Sequence, residues 1–196
     1  MVPDGQLSDI ERGFLTEIVI KLKPKKVLES GTWKGGGSTL SITKGLFENK
    51  YGVLDTYEEY QPFYETAKDF YTLSEYNNFI RLHNDNFLDG LKKLPENYFE
   101  DVGLIFLDGG DETPTGSHKL AINEYINDYN LSENLQSFKF LSNMVKPNTV
   151  LLLHDWSIIE GRGNFIKRYL EDINYSGFEL IRVIDGSTGL AYILKK

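Results

Sequence analysis

The chain has 196 residues, of which 40% are hydrophobic and 26% charged, a composition typical of a globular protein with a sizeable core. We expect one domain spanning residues 1–196. The net charge of −8 and the sequence pI near 5.0 argue against nucleic-acid binding through phosphate neutralisation. The lack of cysteine excludes disulfides, thiolate zinc sites and cysteine nucleophiles. No apolar run approaches a membrane span and the N-terminus lacks a signal pattern, so we expect a cytoplasmic protein with no membrane partner.

The first element is an N-terminal helix, because Ser8 and Glu11 form a capping-box pattern ahead of an apolar stripe at helical spacing. Strand and helix patterns then alternate along the chain. The predicted strands are 26–30, 51–55, 79–82, 102–107 and 150–154, and the predicted helices are 39–47, 63–71, 87–94, about 119–145 and 164–173. This order predicts a parallel sheet covered by helices on both faces. Strands 178–185 and 190–194 flank a short turn, so one of them must run antiparallel.

The segment 25–39, K-K-V-L-E-S-G-T-W-K-G-G-G-S-T, joins the first strand to a helix through a glycine-rich loop. Glu29 places a carboxylate at the carboxyl end of the strand. Glycines such as Gly31 and Gly35 let the backbone approach a ligand without obstruction by a Cβ atom. The loop therefore suits a ligand with amine or hydroxyl groups, and a plain structural turn is the alternative.

The same loop matches a dinucleotide-binding fingerprint poorly. Counted from its first or second glycine, the pattern places Trp33 or Leu40 where glycine is required. Either Ser38 or Thr39 is expected to cap the helix that follows.

Acidic residues occur at or just after the ends of five predicted strands. They are Glu29, Asp55, Asp85, Asp108 and, beside His154, Asp155. Ligands of open parallel sheets bind outside the carboxyl ends of the strands. One such aspartate is usually a turn former, but five at one edge are harder to dismiss. Carboxylates bind hydroxyl and amine groups, and nearby aromatic rings can bind a cation on their faces. S-adenosylmethionine has all three: ribose hydroxyls, an amine and a positively charged sulfonium.

Six segments, taken in chain order, carry a resemblance to a known family. The first four are V-L-E-S-G-T-W-K-G-G-G-S-T, G-V-L-D-T-Y, L-H-N-D-N-F and L-I-F-L-D-G-G-D, and the last two are M-V-K-P-N-T-V-L-L-L-H-D-W and S-T-G-L-A-Y-I-L-K-K. Together they resemble the class I S-adenosylmethionine-dependent methyltransferases, most closely the small O-methyltransferase group called methyltransferase family 24. The resemblance covers nearly the whole chain. It implies an α/β, Rossmann-like, doubly wound fold whose seven-stranded sheet is mostly parallel with an antiparallel last strand.

The resemblance also implies an activity, a cofactor and its contacts. The expected reaction is O-methylation of a small hydroxylated molecule or a sugar, with S-adenosylmethionine as cofactor. Glu29 and Gly31 would hold the methionine end, Asp55 the ribose hydroxyls, and Asp85 with Asn86 the adenine. The further cofactor-binding residues predicted in these segments are Thr32, Trp33, Gly35, Thr56 and Asp108.

Methyl transfer to a hydroxyl requires alignment of the reactants and removal of a proton. The candidate catalytic residues are Asp108, His154 and Asp155. In the metal-dependent O-methyltransferases, acids at the ends of the fourth and fifth strands hold magnesium, and Asp108 and Asp155 occupy those positions. Trp156 stands where the third ligand is usual and cannot bind a metal, so the sequence leaves Mg²⁺ open. His154 is either a base or a core histidine, and His118 is a further candidate base.

Two other functions stay open at this point. An NAD-dependent oxidoreductase is one, because Asp55 lies 20 residues beyond Gly35, near the spacing of a ribose-binding acid. A cofactor-binding module that has lost catalysis is the other. We expect a small-molecule substrate, and a homodimer is compatible with the sequence.

Overall fold

The structure is a computed structural model that describes residues 7–108, 133–154, 156, 171, 173–174, 177–185 and 189–196. Within these residues the strands are β1 Lys26–Ser30, β2 Val53–Tyr57, β3 Ile80–His83, β4 Val102–Leu107, β5 Val150–Leu153, β6 Phe178–Ile184 and β7 Leu190–Lys195. The helices are α1 Asp9–Leu22, α2 Ser38–Asn49, α3 Gln61–Thr72, α4 Phe87–Lys92 and α5 Glu133–Ser142, with 3₁₀ turns at Asn77–Phe79 and Glu96–Asp101.

The seven strands form one sheet in the order β3-β2-β1-β4-β5-β7-β6. Strands β1 to β5 pair in parallel, whereas β7 runs antiparallel to both β5 and β6. The chain builds outward from β1 in one direction and then from β4 in the other, so the strand order reverses between β1 and β4. Such a reversal is where open α/β sheets bind their ligands. The predicted fold class, including the antiparallel last strand, is confirmed.

Helices cover both faces of the sheet, as predicted. Because side chains of a strand alternate between faces, each strand contributes to two separate cores. The first face packs against α1, α2 and α3 through Leu15, Val19, Ile42, Leu46, Ala67 and Tyr71. The second face packs against α4 and α5 through Phe87, Leu91, Phe138 and Leu141. Successive residues of β1 show the division, since Val27 belongs to the first core and Leu28 to the second.

Local sequence explains how the first two helices begin. The predicted capping box of α1 is confirmed: Glu11 N donates to Ser8 Oγ over 3.3 Å, and Ser8 N donates to Glu11 Oε2 over 2.8 Å. The predicted cap of α2 is wrong. Its N-cap is Gly37, which has no side chain to accept a hydrogen bond, and the Thr39 hydroxyl donates to Glu29 instead.

Strand β2 lies two residues further along the chain than predicted. Gly52 has φ +90°, and a Cβ atom there would lie 2.2 Å from the carbonyl oxygen of Pro24, so this position requires glycine and lies before the strand rather than in it. The strand therefore begins at Val53 and ends at Tyr57. Consequently Asp55 is the middle residue of β2 and not its end.

Several predictions fall on parts of the chain that the structure does not describe. They concern Asp155, His118, the stretch 119–132, most of the helix 164–173, and three residues of the turn before β7. In the described part of the chain, no helix is both long and apolar enough to cross a membrane.

Candidate functional site

Five parallel strands end in register along one edge of the sheet. Register pairs form a continuous row through His83, Tyr57, Ser30, Leu107 and Leu153. The residues that follow these strand ends in the chain are Asn84, Glu58, Gly31, Asp108 and His154. We call this row of five the carboxyl edge. It includes the point between β1 and β4 where the strand order reverses, so it is the place where a ligand of this fold would bind.

Glu29 is the residue before Ser30, the last residue of β1, and its side chain is completely buried. Its Oε2 accepts a hydrogen bond of 2.8 Å from the Thr39 hydroxyl, whereas Oε1 has no hydrogen-bond partner among the described residues. Burial raises the pKa of Glu29 to about 7; the nearby hydroxyls of Ser38, Thr56 and Thr39 oppose the shift, and the charge of Asp108 adds to it. A buried carboxyl with one unused oxygen is suited to receive a donor from a ligand.

The loop after β1 is fastened to β2 by backbone hydrogen bonds. Gly31 N and Thr32 N both donate to the carbonyl oxygen of Tyr57, over 3.1 and 3.2 Å. The hydroxyls of Thr32 and Thr56 lie 2.5 Å apart and are buried. Gly31 has φ +88°, a conformation that glycine adopts without strain. Thr32 and Thr56 thus join the loop to β2 directly beside Glu29.

Gly35 is required by packing as well as by backbone conformation. Its φ is +85°, and a Cβ atom at this position would lie 2.9 Å from Cε2 of Tyr71 and 3.2 Å from Cβ of Ala67. The Tyr71 hydroxyl donates to the Gly35 carbonyl oxygen over 2.7 Å. The glycine therefore allows α3 to pack against the loop, and its predicted contact with cofactor stays a prediction.

Glu58, which sequence reasoning missed, is the acid that follows the end of β2. Its Oε2 accepts a 2.8 Å hydrogen bond from Trp33 N and its Oε1 a 2.9 Å bond from Tyr60 N. Partial burial raises its pKa, and these two backbone hydrogen bonds oppose the rise. Trp33 has φ +48° and packs edge-on against Phe63, at 5.9 Å between ring centroids. The signal for Glu58 in the sequence is Gly52. A strand that begins after this glycine ends at Tyr57, so that Glu58 is the acid that follows it.

Asp55, the predicted ribose ligand, faces the other side of the sheet. It pairs in register with Leu28 of the second core and is 2% exposed. Its carboxylate contacts His83 Nε2 at 2.8 Å and Arg81 at 3.4 Å, and it accepts a short hydrogen bond from the Tyr98 hydroxyl. Burial alone would raise the pKa of Asp55, but these partners outweigh burial and lower it.

This placement changes the interpretation of Asp55. The Asp55 carboxylate is almost completely buried among three donors, and the side chain lies on the opposite face of β2 from Thr56, whereas Glu58 is partly exposed. We therefore interpret Asp55 as the centre of a structural network. His83, whose ring also stacks on Tyr57 with centroids 4.5 Å apart, belongs to that network. A role for Asp55 in cofactor binding stays a prediction that the geometry does not favour.

The predicted adenine-binding pair lies in the loop between β3 and α4. Asp85 forms a short salt bridge with Lys93, and Asn86 is the N-cap of α4, accepting from Asp89 N over 3.2 Å. The Asn86 side chain also donates to Glu59 Oε2 over 3.3 Å, which links this loop to the one after β2. Asn86 thus lies beside Glu59, in the loop that follows the carboxyl end of β2.

Asp108 and His154 are neighbours on the carboxyl edge. His154 Nδ1 lies 2.9 Å from Asp108 Oδ1, and His154 Nε2 lies 3.6 Å from Glu11 Oε1 of α1. The side chain of His154 is 3% exposed and that of Asp108 19% exposed. The sequence predicted Asp108 and His154 as catalytic candidates, whereas it indicated Glu11 only as part of a helix cap. Asp155, the third candidate, lies outside the described residues.

Magnesium is not supported by the part of the chain that the structure describes. No group of three histidine, aspartate or glutamate side chains is placed there to hold a metal ion. Asp108 offers one carboxylate, with Oδ1 directed at His154. Trp156, which follows Asp155, is 1% exposed and lies in the core.

No model of a protein family and no curated protein matches the sequence. Solved structures do share its fold. An O-methyltransferase from Bacillus cereus in complex with SAH aligns with a TM-score of 0.72 at 19% identity, covering 100% of this chain and 84% of that one. TomG from Streptomyces achromogenes, an O-methyltransferase involved in tomaymycin synthesis and solved with SAM, aligns at 0.71 and 18% identity, covering 99% and 83%.

A third structure is a putative caffeoyl-CoA O-methyltransferase from Staphylococcus aureus. It aligns with a TM-score of 0.65 at 15% identity, covering 100% of this chain and 86% of that one. The chain thus shares the fold of these O-methyltransferases.

Proposed function

We propose that the protein is an S-adenosylmethionine-dependent methyltransferase that methylates a hydroxyl group of a small molecule or a sugar. The observation that carries the proposal is Glu29, a fully buried carboxyl beside a glycine loop at the strand-order reversal of this fold, with one oxygen that has no hydrogen-bond partner among residues 7–108 and the other described segments. Structures that share the fold include O-methyltransferases solved with SAH and with SAM.

In this proposal the carboxyl edge binds the cofactor along its length. Glu29 and Gly31 hold the methionine end, where an ammonium group would pair with the buried carboxylate. Glu58 takes the ribose hydroxyls, because it follows the end of β2, is partly exposed, and each of its oxygens accepts one backbone hydrogen bond and has a second lone pair for a ligand. Asp85 and Asn86 face the adenine, as the sequence predicts. The cofactor would then extend from β1 across β2 to β3, and its methyl group would point towards β4.

The chemistry is a direct displacement. The acceptor oxygen bonds to the methyl carbon, the bond between that carbon and sulfur breaks, and the electron pair stays on sulfur to give S-adenosylhomocysteine. The hydroxyl proton must leave with a base. Asp108 is our candidate base, because it is partly exposed at the end of β4 and is oriented by His154. Asp155 is the second candidate. Much of the rate would come from alignment of the two substrates.

Magnesium is the alternative to a protein base. When bound, it would lower the pKa of the acceptor hydroxyl. Asp108 and Asp155 are the residues that would hold it, but the described residues provide only the first, so we assign no step to the metal. If turnover survives an excess of EDTA, the base is a side chain; if turnover is lost and returns on adding Mg²⁺, the metal is used.

Titration calorimetry with S-adenosylhomocysteine, S-adenosylmethionine and NAD tests the proposal. We expect micromolar binding of the first two, which corresponds to roughly 8 kcal/mol, and none of NAD. An oxidoreductase would bind NAD, but the oxygens of Asp55 are already engaged by His83, Arg81 and Tyr98. Failure of both adenosyl compounds to bind would refute the proposal.

A methyl-acceptor screen separates an enzyme from an inactive binding module. Catechols such as the caffeoyl group, other small hydroxylated metabolites and sugars would be offered with radiolabelled S-adenosylmethionine. Methyl transfer to any of them excludes the module. Binding of the cofactor without methyl transfer to any acceptor would favour the inactive binding module.

A further inference from the structure

Glu11 connects the start of α1 to the carboxyl edge through His154. The side chain of Glu11 is completely buried, whereas that of Asp9 in the same first turn is 98% exposed. Its Oε2 serves the helix cap, accepting from Ser8 N at 2.8 Å and Ser8 Oγ at 2.7 Å. Its Oε1 points away from the cap and lies 3.6 Å from His154 Nε2. Helix capping alone does not require this second contact.

The ring of His154 is held at both ends. A carboxylate can only accept hydrogen bonds, so the 2.9 Å contact with Asp108 requires a proton on Nδ1. Glu11 Oε1 lies 3.6 Å from the opposite nitrogen, and its attraction for the ring requires a proton on Nε2 as well, so the ring held between the two carboxylates is the imidazolium. The ring of Phe106, whose centroid lies 6.3 Å away, packs on the same face of the sheet. Orientation of a catalytic carboxylate or imidazole by a second buried group is a general feature of active sites.

We propose that Glu11 and His154 are positioning residues, in which Glu11 fixes the ring of His154 so that its Nδ1–H holds the Asp108 carboxylate at the carboxyl edge. The importance of this arrangement for turnover rests on the proposed function, in which Asp108 is the base. The arrangement itself does not depend on it. The N-terminal helix is then part of the site, since one of its residues orients a group at the end of β4.

Side-chain ¹⁵N NMR of the full chain at a single pH tests the proposal without a methyl acceptor. We expect the wild-type protein to show a slowly exchanging Nδ1–H signal that disappears in His154→Gln. In Glu11→Gln, exchange of this proton with water should accelerate at least tenfold, because the ring loses its anchor. Gln at this position still supports a capping box, so the helix start is retained.

Two control variants separate positioning from helix stability. Glu17→Gln makes the same charge change at an exposed position of α1 and should leave the exchange rate within twofold of wild type. Ser8→Ala removes the cap but keeps the Glu11 carboxylate. It should raise the unfolding equilibrium constant roughly fivefold, yet retain the protected Nδ1–H signal.

Unchanged exchange in a folded Glu11→Gln variant would overturn the proposal, as would a wild-type spectrum with no protected Nδ1–H on His154. Should Glu11→Gln not fold, Glu11→Asp withdraws the carboxylate by one methylene and is expected to accelerate exchange at least threefold. No acceleration there would also refute it.

Activity provides a second readout once the screen yields an acceptor. Glu11→Gln should lower kcat at least tenfold and leave the KM for S-adenosylmethionine within twofold, because the proposed cofactor contacts lie on other strands. A rise in KM with unchanged kcat would count against positioning. If S-adenosylhomocysteine does not bind even the wild-type protein, the proposed function fails, whereas the NMR result still decides the arrangement of Glu11 and His154.

Discussion

Two buried carboxyl groups on adjacent strands behave in opposite ways. Glu29 on β1 has one oxygen without a hydrogen-bond partner in the described part of the chain, and burial raises its pKa to about 7. Asp55 on β2 has donors for both oxygens from His83, Arg81 and Tyr98, and its pKa is lowered. Both are almost inaccessible to solvent, with exposures of 0% and 2%. Burial alone therefore does not distinguish an acid that awaits a ligand from one that holds the protein together.

The distinction lies in how completely each carboxylate is satisfied. A buried charge is tolerated when hydrogen bonds and opposite charges replace its hydration, which the network around Asp55 provides. Glu29 lacks full compensation, so its charged form is costly until a donor arrives. A ligand ammonium or hydroxyl would supply the missing hydrogen bond to the Glu29 carboxylate. The four predictions below test this difference, from the largest expected effect to the smallest.

Replacing Asp55 by Ala should destabilise the protein by about 3 to 5 kcal/mol, because it leaves His83, Arg81 and the Tyr98 hydroxyl without their shared acceptor. The affinity for S-adenosylhomocysteine should change less than threefold in whatever fraction stays folded. Urea denaturation and calorimetry measure the two effects, with Asp89→Ala as a surface control. A stable variant with weakened binding would restore Asp55 as the ribose ligand.

Glu29 should make the stability of the ligand-free protein fall as pH rises. Its folded pKa, about 7, exceeds the ordinary value of 4.5, so the folded protein binds more protons than the unfolded chain between these values. Stability contributed by the protonated group is complete below pH 4.5 and is lost as pH rises through 7, by up to about 3 kcal/mol. Glu29→Gln should remove this component of the decline, measured by urea denaturation at pH 5 and pH 8. If the free energy of unfolding falls by the same amount between pH 5 and pH 8 in the wild-type protein, in Glu29→Gln and in the Glu17→Gln control, the prediction is contradicted.

Replacing Glu58 by Gln should weaken binding of S-adenosylhomocysteine by about 1.5 to 3 kcal/mol, the range for a hydrogen bond to a charged group. Stability should change by less than about 1 kcal/mol, because Glu58 is only half-buried and its partners are two backbone N–H groups. Calorimetry of Glu58→Gln against its exposed neighbour Glu59→Gln gives the comparison. Equal affinity in the two variants would remove Glu58 from the site.

The solvent-accessible salt bridge between Asp85 and Lys93 should contribute least to stability. The two side chains are 31% and 65% exposed, so solvent screens their attraction. Lys93→Ala should therefore lower the free energy of unfolding by less than about 0.5 kcal/mol in urea denaturation. A loss above 1 kcal/mol would show that this carboxylate, like Asp55, belongs to the structural framework.

Much of this molecule could be predicted from local patterns. The alternation of strands and helices, the capping box of α1, the position of Glu29 at the carboxyl end of β1 and the antiparallel last strand all follow from periodicity and turn chemistry within a few neighbouring residues. The glycine loop after β1 also predicted a ligand site there, which stays a prediction. These features depend on interactions between residues close in sequence, which is why the sequence alone determined them.

Tertiary structure decided which acids serve which purpose. Asp55 and Glu58 differ by three positions, and a shift of two residues in the limits of β2 decided which of them follows the strand end and which faces the second core. The partners of Asp55 come from β3 and from the turn Glu96–Asp101, and the contact of Glu11 with His154 joins the first helix to the fifth strand. Such contacts are set by the packing of distant elements, so the chain pattern around each acid could not reveal them.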